Sequence, residues 1–376
     1  MQLRHLKQID DLAGTPVLVR ASLNVPVSEA GSVRDRYRID RSLPTLRFLV
    51  EAGARVTLVS HIGRRPEETL HPVYEELAAE LPVRWGGSIT EPAFDEHYAA
   101  LADGQILMAE NLRQDPGETE NQPDFAARLA QFGVVFVNDA FAEIHREHAS
   151  TVGVAAHLPA YAGLRLAEEV RALEGAMAPS APALFLLGGA KFDTKFPLVS
   201  KYLALYDHVF IGGALANDIF KARGFEVGNS LVSDVSLTDA PFLHHEHLLL
   251  PVDVVVDGPD GRQVKTPDAV QPEESMLDCG PDTVAMLEAH IGRARTVLWN
   301  GPFGNYEGGY TDSTEATCQL LARAAARTVV GGGDTVAAIA NLDLYDELGF
   351  VSVGGGSMLT FLEHGTTPVL ETLRAR

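Results

Sequence analysis

The sequence predicts an α/β protein of two Rossmann-like domains with parallel sheets, joined by a helical hinge. Strand-length apolar runs alternate with helix-length amphipathic stretches along nearly the whole chain, and the runs have no polar face. That pattern marks parallel strands covered by helices on both sides. The length of 376 residues exceeds what one ordinary core serves, so two domains are expected. The turns that end the runs also change chemistry, offering Arg and His before residue 150 and glycine after 183.

In the first half the runs end in VLVRASLN (17–24), LVSHIGR (58–64), ILMAENLR (106–113) and FVNDAFAEIHR (136–146), with helices expected at 41–52 and 124–132. One amphipathic helix at 164–178, then the breaker PSAP at 179–182, reads as the connection between domains. Glycine turns follow in ALFLLGGAK (183–191), VFIGGALAN (209–217), TVLWNGPFG (296–304), TVVGGGDT (328–335) and FVSVGGGS (350–357). Helices are expected at 314–326 and 358–363, and the polar stretch 257–275 reads as a surface hairpin or loop. The divisions expected are an N-terminal domain 1–163, a hinge 164–182, a C-terminal domain 183–356 and a tail 357–376.

Composition narrows the function. No apolar run reaches the roughly 18 residues of a membrane span, and the start, MQLRHLKQIDDLAG, lacks a signal peptide's apolar stretch. A cytoplasmic protein is the expectation. Two cysteines, Cys279 and Cys318, supply no disulfide framework or cysteine metal cluster and read as inert core residues. A net charge of −21 argues against nucleic acid and anionic membrane as partners.

The candidate residues fall at the turns, where ligands of parallel sheets bind. Lys191 and Lys195 are four apart on an emerging helix, share one face and suit the oxyanions of a phosphoryl group. Lysine otherwise occurs only at positions 7, 201, 221 and 265, which favours function over solvated surface. Gly331-Gly332-Gly333-Asp334-Thr335 places a carboxylate and a hydroxyl at a helix start. Asp334 reads equally well as an N-cap and as a ligand of Mg²⁺ beside nucleotide phosphates. Gly354-Gly355-Gly356-Ser357 is a second anion-compatible helix end. Asn300 and Glu307 suit ribose or phosphate, although a loop Asn and a loop Glu taken singly are usually structural or exposed. Arg38, His61, Arg64, Arg113 and Arg146 lie at or just after strand ends of successive βα units and predict a convergent cluster for carboxylate and phosphate. His145 and His148 complete no metal-ligand pattern and read as structural. A GxxxxGK[ST] loop, the HRD and DFG pair, GxGxxG after the first strand and GxSxG are all absent. The first two absences exclude a Walker-type NTPase and a protein kinase, and the third weakens a dehydrogenase.

Taken together, these segments resemble the phosphoglycerate kinase family from about residue 16 to the C-terminus. The resemblance rests on LNVP (23–26), YRI (37–39), SLPT (42–45), SHIGR (60–64), ENLR (110–113), VNDAF (137–141) and HREHASTVGV (145–154). It continues in GGAK with Lys195, IGGALAN (211–217), KARGFEVGNSL (221–231), LPVDVVV (250–256), WNGPFG with Glu307, VVGGGDT and VGGGS. It implies two domains facing a cleft and a phosphotransferase with a carboxyl group as acceptor. The reaction implied is direct, in-line and reversible transfer from 1,3-bisphosphoglycerate to MgADP, giving 3-phosphoglycerate and MgATP in glycolysis and gluconeogenesis. By the same resemblance Ser22, Asn24, Arg38, His61, Gly63, Arg64, Arg113 and Arg146 bind the phosphoglycerate. Arg38, Lys195 and Lys191 serve the moving phosphoryl group. Gly213, Ala214 and Pro251 line the adenine site, Asn300 lies near the phosphates and Glu307 binds ribose. Gly332, Gly333 and Thr335 cradle the phosphates, and Asp334 holds Mg²⁺. Small-molecule substrates, no nucleic acid, no membrane and a monomer are the partners implied.

The departures cluster on the acid side. The family's VDFNVP is ASLNVP here, so Ser22 stands where an acidic substrate contact is usual. FGTAHR becomes FAEIHR, which sets Glu143 and Ile144 beside the substrate loop, and LRF becomes LRQ at Gln114. VSDK becomes FDTK, with both lysines kept. An active enzyme is the leading expectation, and a catalytically weak nucleotide-binding relative with an altered acid site is the alternative. A dehydrogenase on a related fold stands third.

Overall fold

The structure, a computed structural model, describes every residue except Lys191, Thr238 and Arg376, and leaves the side chains of Phe192, Asp193, Thr194 and Phe196 undescribed. Backbone contacts divide the chain into two units, Met1–Arg171 with Thr366–Arg376, and Ala172–Gly365.

The first unit holds β1 (Pro16–Ala21), β2 (Arg55–Val59), β3 (Val83–Gly87), β4 (Ile106–Ala109), β5 (Val135–Asp139) and β6 (Ala160–Ala162), in spatial order β3-β4-β2-β1-β5-β6. Every neighbouring pair is parallel. Strand β1 is buried from Val17 to Ala21, as its apolar run demands. The helix Tyr37–Glu51 buries Ile39, Leu43, Leu46 and Leu49, one stripe at helical spacing. The chain winds from β1 to one side of the sheet and returns to the other, with Ala21 beside Asp139. The loops after β1 and β5 therefore leave adjacent strands at the switch point, where ligands of such sheets bind.

The second unit repeats the plan with β7 (Ala183–Leu187), β8 (His208–Ile211), β9 (Leu248–Leu249), β13 (Thr296–Asn300), β14 (Arg327–Gly331) and β15 (Phe350–Val351), in order β15-β14-β13-β7-β8-β9. All these pairs are parallel. Apart from this parallel sheet, β10 (Val254–Asp257), β11 (Gln263–Lys265) and β12 (Ser275–Cys279) form a separate antiparallel sheet. The polar stretch 257–275 supplies its hairpin, because a short turn can join only antiparallel neighbours. The short strands β3, β6 and β9 carry no long apolar run, so periodicity alone does not mark them.

The connecting helix holds the division between the units, and the tail is shorter than expected. The helix Leu164–Met177 is continuous, and the division between units falls inside it, between Arg171 and Ala172. Its start is tied to the first unit by Asp139 Oδ1, which accepts from Leu166 N at 3.0 Å. Near its end the Tyr206 hydroxyl donates to Ala176 O at 2.7 Å. Residues 357–364, expected in the tail, belong to the helix Gly355–His364 of the second unit. That helix buries Met358, Phe361 and Leu362 there, and Lys201 Nζ donates to Leu362 O at 2.7 Å. The first unit resumes at Thr366, where Leu3 pairs with Arg374 and Val369, Leu370 and Leu373 are fully buried. Among the described residues no helix is long and apolar enough to cross a membrane.

Candidate active site

The first unit gathers its basic residues above the carboxyl ends of β1, β2, β4 and β5. Arg20, the second-last residue of β1, is fully buried and organises the floor. Its Nε donates to Ser150 Oγ at 2.9 Å, one terminal nitrogen reaches Ser60 Oγ at 3.2 Å, and the other meets His61 Nδ1 at 2.8 Å. A guanidinium only donates, so His61 Nδ1 accepts and the ring proton sits on Nε2. Burial, then Arg20, Arg113 and Arg146, hold the His61 pKa well below its ordinary value, so the ring is neutral. Among the described residues His61 Nε2 has no hydrogen-bond partner, and Glu143 Oε1 lies 3.5 Å away. Beneath, the fully buried Glu118 accepts from Ser150 Oγ at 2.6 Å and stands 3.7 Å from His148 Nδ1. Despite its burial, the contacts with His148, Arg20 and Ser150 leave its pKa below the ordinary value.

Backbone groups tie the upper residues together. Asn24 Oδ1 accepts from Gly63 N at 2.9 Å, its carbonyl accepts from Arg38, and Gly63 O accepts from Arg113. Gly63 has φ +62°, and a Cβ there would run into the Glu68 carboxylate. Asn111 fastens the same turn, with Nδ2 donating to Ile62 O at 3.0 Å and to Glu68 O at 2.7 Å. Arg113 has its pKa lowered by burial and then by Arg146, so like charges are crowded here. Arg146 Nε donates to His145 Nε2 at 3.2 Å, while Arg64 is exposed and Gln114 points to the surface. Arg38 does not follow a strand end as expected; it sits in the first turn of the helix Tyr37–Glu51. Ser22 is 3% exposed and donates to Glu143 Oε2 at 3.3 Å. Glu143 closes the turn Phe141–Glu143, whereas Ile144 faces inward, fully buried.

In the second unit the ends of β7, β13 and β14 lie level, with Asn300 beside both Leu187 and Gly331. The turns above them touch through their glycines. A Cβ on Gly188 would strike Pro302 O, one on Gly301 would strike Gly188 O, and one on Gly213 would come within 2.8 Å of Gly189 N. Gly332, at φ +112°, packs against Gly301 N. Gly333, in contrast, has nothing within 4 Å of its Cβ position and faces open space.

Beside these turns lies a cavity of about 260 Å³. Gly213, Ala214, Pro251, Glu307 and Asp334 all line it. Asn217, Phe220, Met276, Leu277 and Asp278 line it too. Asn217 ends the run IGGALAN, no strand-end turn marks the other four, and the convergence comes from the antiparallel sheet and the helix Ala214–Ala222. Burial pushes the Asp278 carboxyl up to about 6 and the Cys318 thiol up to about 12. Cys279 is raised well above the ordinary range by burial and then by Asp278; both cysteines are buried and unbridged.

Lys195 is 8% exposed, and its Nζ donates to Gly188 O at 2.6 Å. Lys191 lies outside the described residues, so the expected pairing of the two on one face is not in view. Asn300 is buried, its amide nitrogen 3.6 Å from the Met358 sulfur. Asp334 is not an N-cap: the helix Gly333–Asn341 is capped by Gly332 without a side-chain bond, and Asp334 projects exposed from its first turn. Thr335 Oγ1 is buried and, among the described residues, lacks a hydrogen-bond partner. An open carboxylate and an orphaned hydroxyl at one helix N-terminus fit a metal–phosphate group.

A family model described as phosphoglycerate kinase matches residues 6–365. The chain is 41% identical over 388 residues to the phosphoglycerate kinase of Chloroflexus aggregans, with 97% of each covered. It is 42% identical over 393 residues to that of Rubrobacter xylanophilus, covering 100% of this chain and 99% of the relative. Among solved structures, the phosphoglycerate kinase of Coxiella burnetii superposes with a TM-score of 0.83 at 36% identity, over 99% of this chain and 98% of that one. That of Pyrococcus horikoshii gives 0.85 at 27% identity, with the same coverage. A match that runs through both sheets and both clusters of turns leaves one assignment: the chain belongs to the phosphoglycerate kinase family.

Proposed function

We propose that the protein catalyses reversible phosphoryl transfer between 1,3-bisphosphoglycerate and MgADP, the acid binding to the first unit and the nucleotide to the second. The observation that carries this reading is the division of chemistry. The first unit supplies Arg38, Arg64, Arg113 and Arg146 with a neutral His61 from the loops after its strands and the start of the helix Tyr37–Glu51. The second supplies a nucleoside-sized cavity beside an open glycine turn. Guanidinium groups match phosphate and carboxylate oxygens in pairs, and fixed positive groups lower the barrier for charge moving between polyanions.

In this reading Ser22, Asn24, His61 and Gly63 position the acid among the arginines, and Arg38 offsets charge on the phosphoryl group in flight. Lys195 meets it from the nucleotide side after exchanging Gly188 O for a phosphate oxygen, and Lys191 contacts the nucleotide phosphates. Gly213, Ala214 and Pro251 hold the base, Glu307 the ribose, and Asn300, Gly332, Gly333 and Thr335 the phosphates. Asp334 would hold Mg²⁺, which when bound offsets charge on the nucleotide phosphates. The reading extends to a cytoplasmic monomer, supported by the net charge of −21.

A coupled assay in the ATP-forming direction tests the proposal. Robust turnover with 1,3-bisphosphoglycerate and MgADP is expected. MgADP binding without turnover would instead establish the catalytically weak relative.

A further inference from the structure

Glu143 is out of place by charge. A site that receives polyanions has drawn in an acid that is only 4% exposed, among Arg113, Arg146, His145 and His61. Burying a carboxylate is costly unless its oxygens are satisfied. Its side chain offers about four acceptor positions. Its nearest polar side chains are Ser22 Oγ at 3.3 Å, a long hydrogen bond, and the neutral His61 Nε2 at 3.5 Å, beyond hydrogen-bond contact. Its position is nonetheless firmly held. Ile144 beside it is fully buried, and Glu143 O accepts from Arg146 N at 2.9 Å, so Glu143 and Arg146 share one rigid turn.

We propose that Glu143 is a specificity-determining residue of the acid site, its carboxylate accepting a hydrogen bond from the hydroxyl of the bound phosphoglycerate. The inference rests on the functional reading above. A hydroxyl is the group of an acid substrate that a carboxylate can welcome, since the phosphate and carboxylate ends of that substrate go to the arginines. Ser22, where the family resemblance leads one to expect an acid, donates to Glu143. Strands β1 and β5 are adjacent and parallel, with Ala21 beside Asp139, so their loops address one space. The carboxylate has thus moved from one loop to its neighbour, and Ser22 is the small residue that makes room for it.

The test compares 3-phosphoglycerate with 3-phosphonooxypropanoate, which lacks the hydroxyl, in the ATP-consuming direction. Wild type should prefer the hydroxylated acid in kcat/KM by roughly tenfold or more, the scale of a hydrogen bond to a charged group. Glu143→Thr should erase that preference, lowering kcat/KM for the hydroxylated acid far more than for the deoxy acid, while leaving the KM for MgATP unchanged. Ser22→Asp alone should impair the hydroxylated acid by setting two carboxylates together, and Ser22→Asp combined with Glu143→Thr should restore the preference. Glu143→Gln, nearly isosteric, gives a smaller loss in the same direction and serves if the threonine variant fails to fold. A preference unchanged in the Glu143 variants, or an equal change for both acids, overturns the inference. So does tighter binding of both acids, which would make Glu143 a competing anion. Absence of any turnover in wild type would instead sink the functional reading itself.

Discussion

The two units share a fold plan and build their sites from opposite materials. The first makes its site from side chains that meet across long sequence distances, such as Arg20 with Ser150 and His61. The second makes its site from backbone, with Gly188, Gly213 and Gly301 nested too closely for a Cβ. The difference follows from the ligands each is proposed to take. A compact acid must be recognised through several charges at fixed angles, which guanidinium groups provide. A nucleotide's phosphates can be met by N–H groups at helix ends, provided the backbone is bare. The costs differ as well. The first unit must bury charge, and balances Arg20 with Glu118 through Ser150. The second must accept glycine's conformational entropy in the unfolded chain.

The sharpest way to break this contrast is Arg20→Met. Removing the buried guanidinium leaves Glu118 unbalanced and should cost the first unit about 3–5 kcal/mol in denaturant unfolding. A loss under about 1 kcal/mol would show that the buried network carries little. Next in size is Arg38→Ala, which should lower kcat by roughly 100- to 1000-fold, the scale of removing one charge-stabilising donor. MgADP affinity by calorimetry should stay within about twofold; normal turnover would remove Arg38 from the transfer step.

Two alanines separate the roles of the glycines. Gly188→Ala should destabilise the second unit by about 1–3 kcal/mol, because the methyl meets Pro302 O. Gly333→Ala should stay within about 0.5 kcal/mol of wild type in stability, since its Cβ position is open, yet weaken MgADP. Equal thermal shifts for both would refute the division into packing and ligand glycines. Asp334→Ala should bring a roughly tenfold loss of MgADP affinity. Nucleotide affinity without metal should hardly change, and a metal dependence identical to wild type would take Asp334 out of the Mg²⁺ role.

Much of this was legible from residue patterns. The alternation of apolar runs marked the central strands of both sheets, because strands buried on two faces must be apolar throughout. The strand-end turns marked His61, Arg113, Gly213, Asn300 and Asp334, because ligands of parallel sheets gather there. Arg38 was found by its cluster but misplaced, since nothing local says that a helix start 16 residues beyond β1 bends back to Asn24 O. Glu118 gave no signal, and Asn111 stood out only as part of the run ENLR, with no role of its own. A buried Asn or Glu is distinguished from a surface one only by what packs around it.

By itself the sequence determined the two parallel sheets, the two chemistries and the family, because each depends on short-range pattern and motif order. Tertiary structure alone decided four things. It set the His61 tautomer through Arg20, released Asp334 from capping, and ended the second unit at Gly365 where Met358, Phe361 and Leu362 are buried. It also brought Glu143 to Ser22. Each depends on residues distant in sequence arriving within a few ångströms, and burial and partner choice exist only once the chain has closed around them.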